Sequence, residues 1–389
     1  MKTIDKILTV IGYVLNFAPC VLMGAYSAKS AIEIVKSGDT GLELLVMGGL
    51  ILAAVLFWLL HIIIHEGGHL VCGLLTGWKF LSFRVGNLVL INQNGKLKWK
   101  KTTVMGTGGQ CLLIPPECDY ENCPFFLYLF GGGFANLLTS VIAIVVGIFT
   151  GGIVQIIFNL YAIIGIGLGF FANLFPAKMG GVMNDGYQIF VEFPRNKEMK
   201  KYTCCLMIAN AVLTEKDSTK ALPLDVRNII LDLDGNDLSN TSVVNLLFFK
   251  NSILQEECKY KEAKEIFQKI VDDPDVLELF KYEAKCELLY YEIMGECNEK
   301  KIEALYDDKL KKYIKATALY PSRKRLMYAY YLVYKKDEEK ADKEYEALLK
   351  VSKTHPSKAE IAIELKEAER VRAHFECKYW NSEKKECRG

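Results

Sequence analysis

LLVMGGLILAAVLFWLLHIIIHEGGHLVCGLL, residues 44–75, is an apolar run that carries three histidines and a glutamate near its end. It exceeds the roughly 18 apolar residues that mark a membrane-spanning helix, since about 20 are needed to cross about 30 Å of hydrocarbon. Ionisable groups in such a segment are costly and usually mark function. His61, His65 and His69 are spaced four apart and fall on one face of a helix. His65 and His69, one turn apart, can both reach one zinc ion, and Glu66 can approach the ion's open position as a general base. His61 lies about 12 Å of helix rise from His69, too far to share that ion, and is read as a supporting or lumen-lining residue. Buried polar side chains satisfied by neighbouring helices would account for a lone histidine. They account poorly for H-E-x-x-H.

Around this run the chain divides by charge. It has 389 residues, is 51% hydrophobic and has a net charge of +2, so no large field points to nucleic acid. Charges are scarce up to residue 194, and from Arg195 onward Lys and Glu crowd in. The pattern predicts a membrane-embedded part over 1–194 and a soluble, all-α part over 195–389. Four spans are expected, at about 7–26, 44–75, 125–150 and 153–175. Lys2 and Lys6 precede the first apolar run as in a signal peptide. Ala25–Ser27 makes a poor cleavage site, so the run is read as a retained helix.

Loop charges set the orientation. Lys79, Arg84, Lys96, Lys98, Lys100 and Lys101 stand between the second and third runs with no acid until Glu117, whereas loop 27–43 balances Lys29 and Lys36 against Glu33, Asp39 and Glu43. The excess of Lys and Arg favours the cytoplasmic side for the former and, after four spans, for the C-terminal half. The twelve cysteines form no regular framework; Cys118, Cys123, Cys204 and Cys205 lack a second matched pair and are read as ordinary thiols.

Two histidines need a third ligand to complete a catalytic zinc site. Asp185 is the sole acid between Glu121 and Glu192, in NLFPAKMGGVMNDGYQIF (173–190). In the expected topology it reaches the same membrane level as His65 and His69. Asn173 and Pro176 end the fourth helix, and Gly180, Gly181 and Gly186 permit irregular backbone, which membrane depth tolerates only inside protein or beside a wet cavity. An N-D-G turn in a plain loop is the competing reading.

These motifs resemble the site-2 protease family of intramembrane zinc metallopeptidases. The resemblance covers roughly residues 44–190, in HEGGH (65–69), GGFAN (132–136), NLFP (173–176) and NDG (184–186), in the family's order. It implies hydrolysis of a peptide bond in or near a transmembrane segment of a membrane protein or signal-peptide-like substrate. His65, His69 and Asp185 would bind one zinc ion per chain, Glu66 would activate water, and Asn136 and Asn173 would help hold substrate or the oxyanion. Two features depart from the family. Eight residues separate Pro176 from Asp185 where about four are usual, and Gly133 stands where Pro is common.

The stretch NLVLINQNGKLKWKKTTV (87–104) alternates around Asn94-Gly95 and predicts a hairpin, followed by the Gly-rich GTGGQCLLIPP (106–116). It is read either as a plain surface hairpin or, as the resemblance implies, as an edge that takes an unwound substrate by strand addition. Further on, YKEAKEIFQKIVDDP (260–274) sets Ala263 and Phe267 one turn apart, and KEYEALLKVSKTHP (343–356) repeats the layout with Tyr345 and Leu349, with Pro321 closing KKYIKATALYP between them. This irregular repetition suits stacked helical hairpins of tetratricopeptide type that bind a protein partner, or a helical cap on the membrane core. His355 and His374 are expected at the surface. Besides a zinc endopeptidase, the sequence admits a catalytically inactive membrane scaffold, against which the intact Glu66 argues. A transporter is a more distant third, since the spans show no internal repeat.

Overall fold

The computed structural model of the chain describes residues 2–35, 40–102, 107–179, 182–235 and 238–386. The chain is mainly helical and divides into two compact units. The first comprises Met1–Val85 and Thr107–Lys201; the second comprises Gly86–Gly106 and Tyr202–Gly389. Gly180 and Gly181, which the sequence reading used, lie outside the described residues, as do the last two positions of the 87–104 stretch.

Among the described residues, four helices of the first unit are long and apolar enough to cross a membrane. They are α1 (Lys2–Val35), α2 (Thr40–Leu75), α3 (Phe125–Thr150) and α4 (Gly152–Ile164), the last continuing through π-helical turns over Gly165–Phe171 and a final turn, Ala172–Leu174. α1 runs well past residue 26. Leu50 and Ala54 of α2 bury against Leu160 and Ile164 of α4, with Met23 and Tyr26 of α1 packed on them. The opposite faces carry Leu45, Leu56 and Phe149 at 72%, 57% and 85% exposure, a belt of apolar surface that water does not favour. Gly151 and Gly152 turn α3 into α4 at φ +66° and +56°, backbone that glycine adopts without steric cost. α2 and α3 meet backbone to backbone: a Cβ built on Gly68 would stand 2.2 Å from the Gly131 carbonyl oxygen, the small-residue contact that lets helices approach closely.

Four strands follow α2: β1 (Lys79–Val85), β2 (Leu88–Gln93), β3 (Lys96–Lys101) and β4 (Gly109–Ile114). β1 pairs antiparallel with β4, from Lys79 opposite Ile114 to Val85 opposite Gly109. β2 and β3 form the expected hairpin, Gln93 opposite Lys96. Asn94 and Gly95 have φ of +53° and +76°, the two positive values that a type I′ turn requires.

The sequence reading groups this hairpin with the membrane half, but its contacts place it in the second unit. Gln93 Nε2 donates to the carbonyls of Thr214 (3.2 Å) and Pro356 (3.1 Å), Asn94 N–H donates to Glu215, and Lys100 donates to the Lys353 carbonyl. The rest of the unit is helical. Tyr260–Asp272 buries Ala263 and Phe267, as their spacing predicts. In Glu338–Thr354 the buried pair is Ala341 and Leu348, seven apart on one face, whereas Leu349 is 40% exposed; the inward stripe is one residue earlier than expected. Pro321 opens a helix, Pro321–Ala329, instead of closing the one before it. Its fixed φ suits the first helical turn, where no N–H is needed. Buried Arg325 draws three helices together, bonding Glu364 at 2.6 Å and Glu287 at 2.8 Å and lying over the Tyr290 ring. His355 is buried, contrary to the surface expectation, and His374 is half-buried. Burial pushes the His355 pKa down to about 4, and its Nδ1 accepts from the Ser357 N–H.

Candidate metal centre

The H-E-x-x-H segment is helical throughout within α2, so His65 and His69 stack one turn apart, as their spacing requires. Their Nε2 atoms are 3.0 Å apart, and Asp185 Oδ2 lies 3.2 Å from His65 Nε2 and 3.4 Å from His69 Nε2. The side chains are 12%, 8% and 17% exposed. Two imidazoles and a carboxylate thus converge on one point from separate parts of the chain. Tetrahedral zinc with ligand distances of about 2.0–2.1 Å has ligand-to-ligand edges of roughly 3.3 Å. The triangle has the size that such an ion needs. Burial pushes the Asp185 carboxyl up, but His69 and His65 outweigh it and hold it below the usual carboxylate range.

Asp185 reaches this point through a local device that begins at the end of the fourth helix. The backbone leaves helix at Phe175, turns through Pro176 and returns by a short antiparallel pair, Lys178–Met179 with Val182–Met183. Lys178–Met179 and Val182–Met183 lie in this excursion, so the longer spacing does not carry the carboxylate away. Asn184 closes it. Its Nδ2 donates to the carbonyls of Ala172 (2.9 Å) and Phe175 (2.7 Å), and its Oδ1 accepts from the N–H groups of Ala177 (3.1 Å) and Tyr187 (2.8 Å). All four hydrogen-bonding positions of the amide are used. Gly186 completes the fit, because a Cβ there would stand 2.1 Å from the Leu174 carbonyl oxygen.

His69 Nδ1 lies 2.8 Å from the Tyr128 carbonyl oxygen. A carbonyl only accepts, so Nδ1 carries the proton and Nε2 keeps its lone pair for an ion. Tyr128 also donates its hydroxyl to the Cys111 carbonyl of β4 (2.7 Å). The Cys111 N–H in turn bonds the Glu66 carboxylate. Glu66 is 8% exposed and rests on Gly109, where a Cβ would stand 2.6 Å from its Oε1. Arg84 of β1 fixes the approach to β4, donating to Thr107 and to the Gly109 carbonyl. Gly132 of α3 faces His65 and His69, with its built Cβ 2.5 Å from His69 Nε2.

No protein-family model, curated protein or solved structure matches the chain.

The remaining sequence candidates take other places. Asn136, 1% exposed, stands between His61 and His65. Asn173 donates its amide to the Leu168 and Gly169 carbonyls of its own helix. An apolar pocket lined by Phe130, Phe170, Phe171, Leu174, Phe175 and Phe190 adjoins the Asp185 turn through Leu174, which also packs on Gly133 and Gly186. Asn184 entered the sequence reading only as part of N-D-G (184–186), without a role of its own. Its signal was present, since Asn is a favoured helix N-cap residue, but which carbonyls its amide would reach depends on the fold.

Proposed function

We propose that this chain is an intramembrane zinc endopeptidase of the site-2 protease kind, which hydrolyses a peptide bond in or near a transmembrane segment of a membrane protein or signal-peptide-like substrate. The observation that carries this reading is the 3.0–3.4 Å triangle that Asp185 closes with His65 and His69 of an apolar helix that also bears Glu66. These three groups would hold a zinc ion, which would supply Lewis-acid polarisation of a peptide carbonyl and a more acidic water. Glu66, held by the Cys111 N–H, takes the proton of the attacking water and passes it to the leaving nitrogen. The exposed apolar belt of the four helices faces lipid, and the phenylalanine-lined pocket beside Leu174 receives an apolar substrate side chain. In this reading the positively charged loop and the helical unit are cytoplasmic. The helical unit acts as a tetratricopeptide-like partner-binding module.

Chelation tests the reading. Protein purified in detergent should hold about one zinc per chain and cleave an apolar transmembrane peptide. A strong chelator should stop cleavage, and zinc should restore it. Cleavage that persists in fully metal-free protein sinks the proposal.

Gly109 offers a second check. Valine there places a side chain on the Glu66 carboxylate, and misplacing a catalytic group by about 1 Å costs about 10²-fold in rate. Gly109→Val should therefore keep its zinc and lose activity on that scale, read as metal content against turnover.

A further inference from the structure

Behind the three ligands lies a buried polar chain that the proposed chemistry does not use. His61, 2% exposed, places Nε2 3.1 Å from the Tyr161 carbonyl oxygen and Nδ1 2.8 Å from Asn136 Oδ1. The other end of the same amide, Asn136 Nδ2, is 3.4 Å from His65 Nδ1. The chain is closed in by the π-helical turns of the fourth helix. A Cβ on Gly165 would stand 2.3 Å from His61 Cε1, and one on Gly169 would stand 2.5 Å from Asn136 Nδ2. The His61 ring also lies against Tyr161, with ring centres 4.2 Å apart. Three helices thus converge on two imidazoles joined by one amide.

Proton accounting decides what such a chain can do. The Tyr161 carbonyl only accepts, so His61 Nε2 carries a proton. If His61 is neutral, its Nδ1 is a bare acceptor that needs an N–H. The two ends of an amide are the same size, and half a turn about Cβ–Cγ exchanges them without altering the 2.8 and 3.4 Å separations. With NH₂ towards His61, the amide oxygen faces His65 Nδ1, which must then be the protonated nitrogen. His65 Nε2 is left with a lone pair aimed at the point it shares with His69 and Asp185. The opposite setting puts NH₂ against His65 Nδ1 and moves the proton of a neutral His65 to Nε2, where it blocks ligation. It also requires both His61 nitrogens to donate, making a cation faced by an amide and a backbone carbonyl, an expensive charge among apolar helices.

We propose that His61 and Asn136 form a tautomer-setting relay, from the Tyr161 carbonyl through His61 and the Asn136 amide to His65 Nδ1, that holds His65 Nε2 ready for the metal. The relay rests on the zinc reading above, and it makes Asn136 and His61 positioning residues. Partners of this kind orient ligating histidines, and their loss typically costs about 10- to 100-fold in metal affinity.

The test uses full-length protein in detergent, with zinc affinity measured by competition against a chelator. Asn136→Leu should weaken zinc binding by about 10- to 100-fold, whereas Asn136→Asp, whose carboxylate still accepts from His65 Nδ1–H, should bind zinc more tightly than the leucine variant, with His61 taking up a proton on Nδ1 to donate to the new carboxylate. Nitrogen-15 spectra of the five histidines in the zinc-loaded wild type give an answer that does not depend on any variant folding. His61 should be neutral, with its proton on Nε2 and a bare Nδ1. A proton on His61 Nδ1 in the wild type, or unchanged affinity in Asn136→Leu, overturns the relay while leaving the metal site standing. A wild-type chain whose zinc is not lost in His69→Ala overturns the metal reading, and the relay falls with it.

Discussion

Glu66→Gln is expected to fold, to keep its zinc and to cleave about 10²- to 10⁴-fold more slowly than wild type, the usual cost of losing a general base. Glutamine matches glutamate in size and can still meet the Cys111 N–H through its amide oxygen. What it cannot do is take a proton from water. Three things hold the carboxylate in place: the α2 backbone, the absence of a side chain at Gly109, and the N–H of β4. Because these supports are unchanged, the variant separates proton transfer from architecture. It should also retain uncut substrate, so co-purification with a crosslinkable transmembrane peptide is a second readout. Wild-type turnover in Glu66→Gln would remove the endopeptidase reading and leave a metal site with another purpose.

The parts of this site that lie within one helix were legible before any coordinates. His65, Glu66 and His69 follow from a four-residue spacing in an apolar run, and the helix that realises it is the simplest structure such a run can form. Asp185 was legible by elimination among scarce acids. Its geometry was not, because the excursion after Pro176 is closed by the Asn184 amide reaching carbonyls up to twelve residues away. Asn136 entered through the GGFAN resemblance as a residue for substrate or the oxyanion, but its partners come from α2, and an amide's role depends on what meets each end. The hairpin shows the same limit in another form. Alternation and Asn94-Gly95 predicted the strands and their turn, yet nothing local predicts that Gln93 reaches Thr214 and Pro356. In the helical unit, Leu348 and Leu349 are equally apolar, and only packing selects the first.

Metal loss should be reachable by two independent routes, one chemical and one steric. Asp185→Asn replaces a carboxylate with a neutral amide, a poorer ligand for a divalent cation, at a position where Asn184 and Gly186 keep the backbone in place. It should lose both zinc and activity, unlike Glu66→Gln. Gly132→Ala touches no ligand. Its methyl carbon would stand 2.5 Å from His69 Nε2 and 2.7 Å from His65 Cε1, far inside the 3.5–4.0 Å of ordinary contact. The Tyr128 carbonyl fixes His69 and the two rings pack edge to face on each other, so relief requires α2 and α3 to separate. At Gly68 and Gly131 they touch through backbone, and separation there also gives up close packing. Gly132→Ala is therefore expected to abolish stoichiometric zinc while retaining the helical content of the chain, read by metal analysis beside circular dichroism. An alanine variant that binds zinc with wild-type affinity would mean that the imidazoles do not ligate from the positions described, and the triangle would no longer support the proposed chemistry.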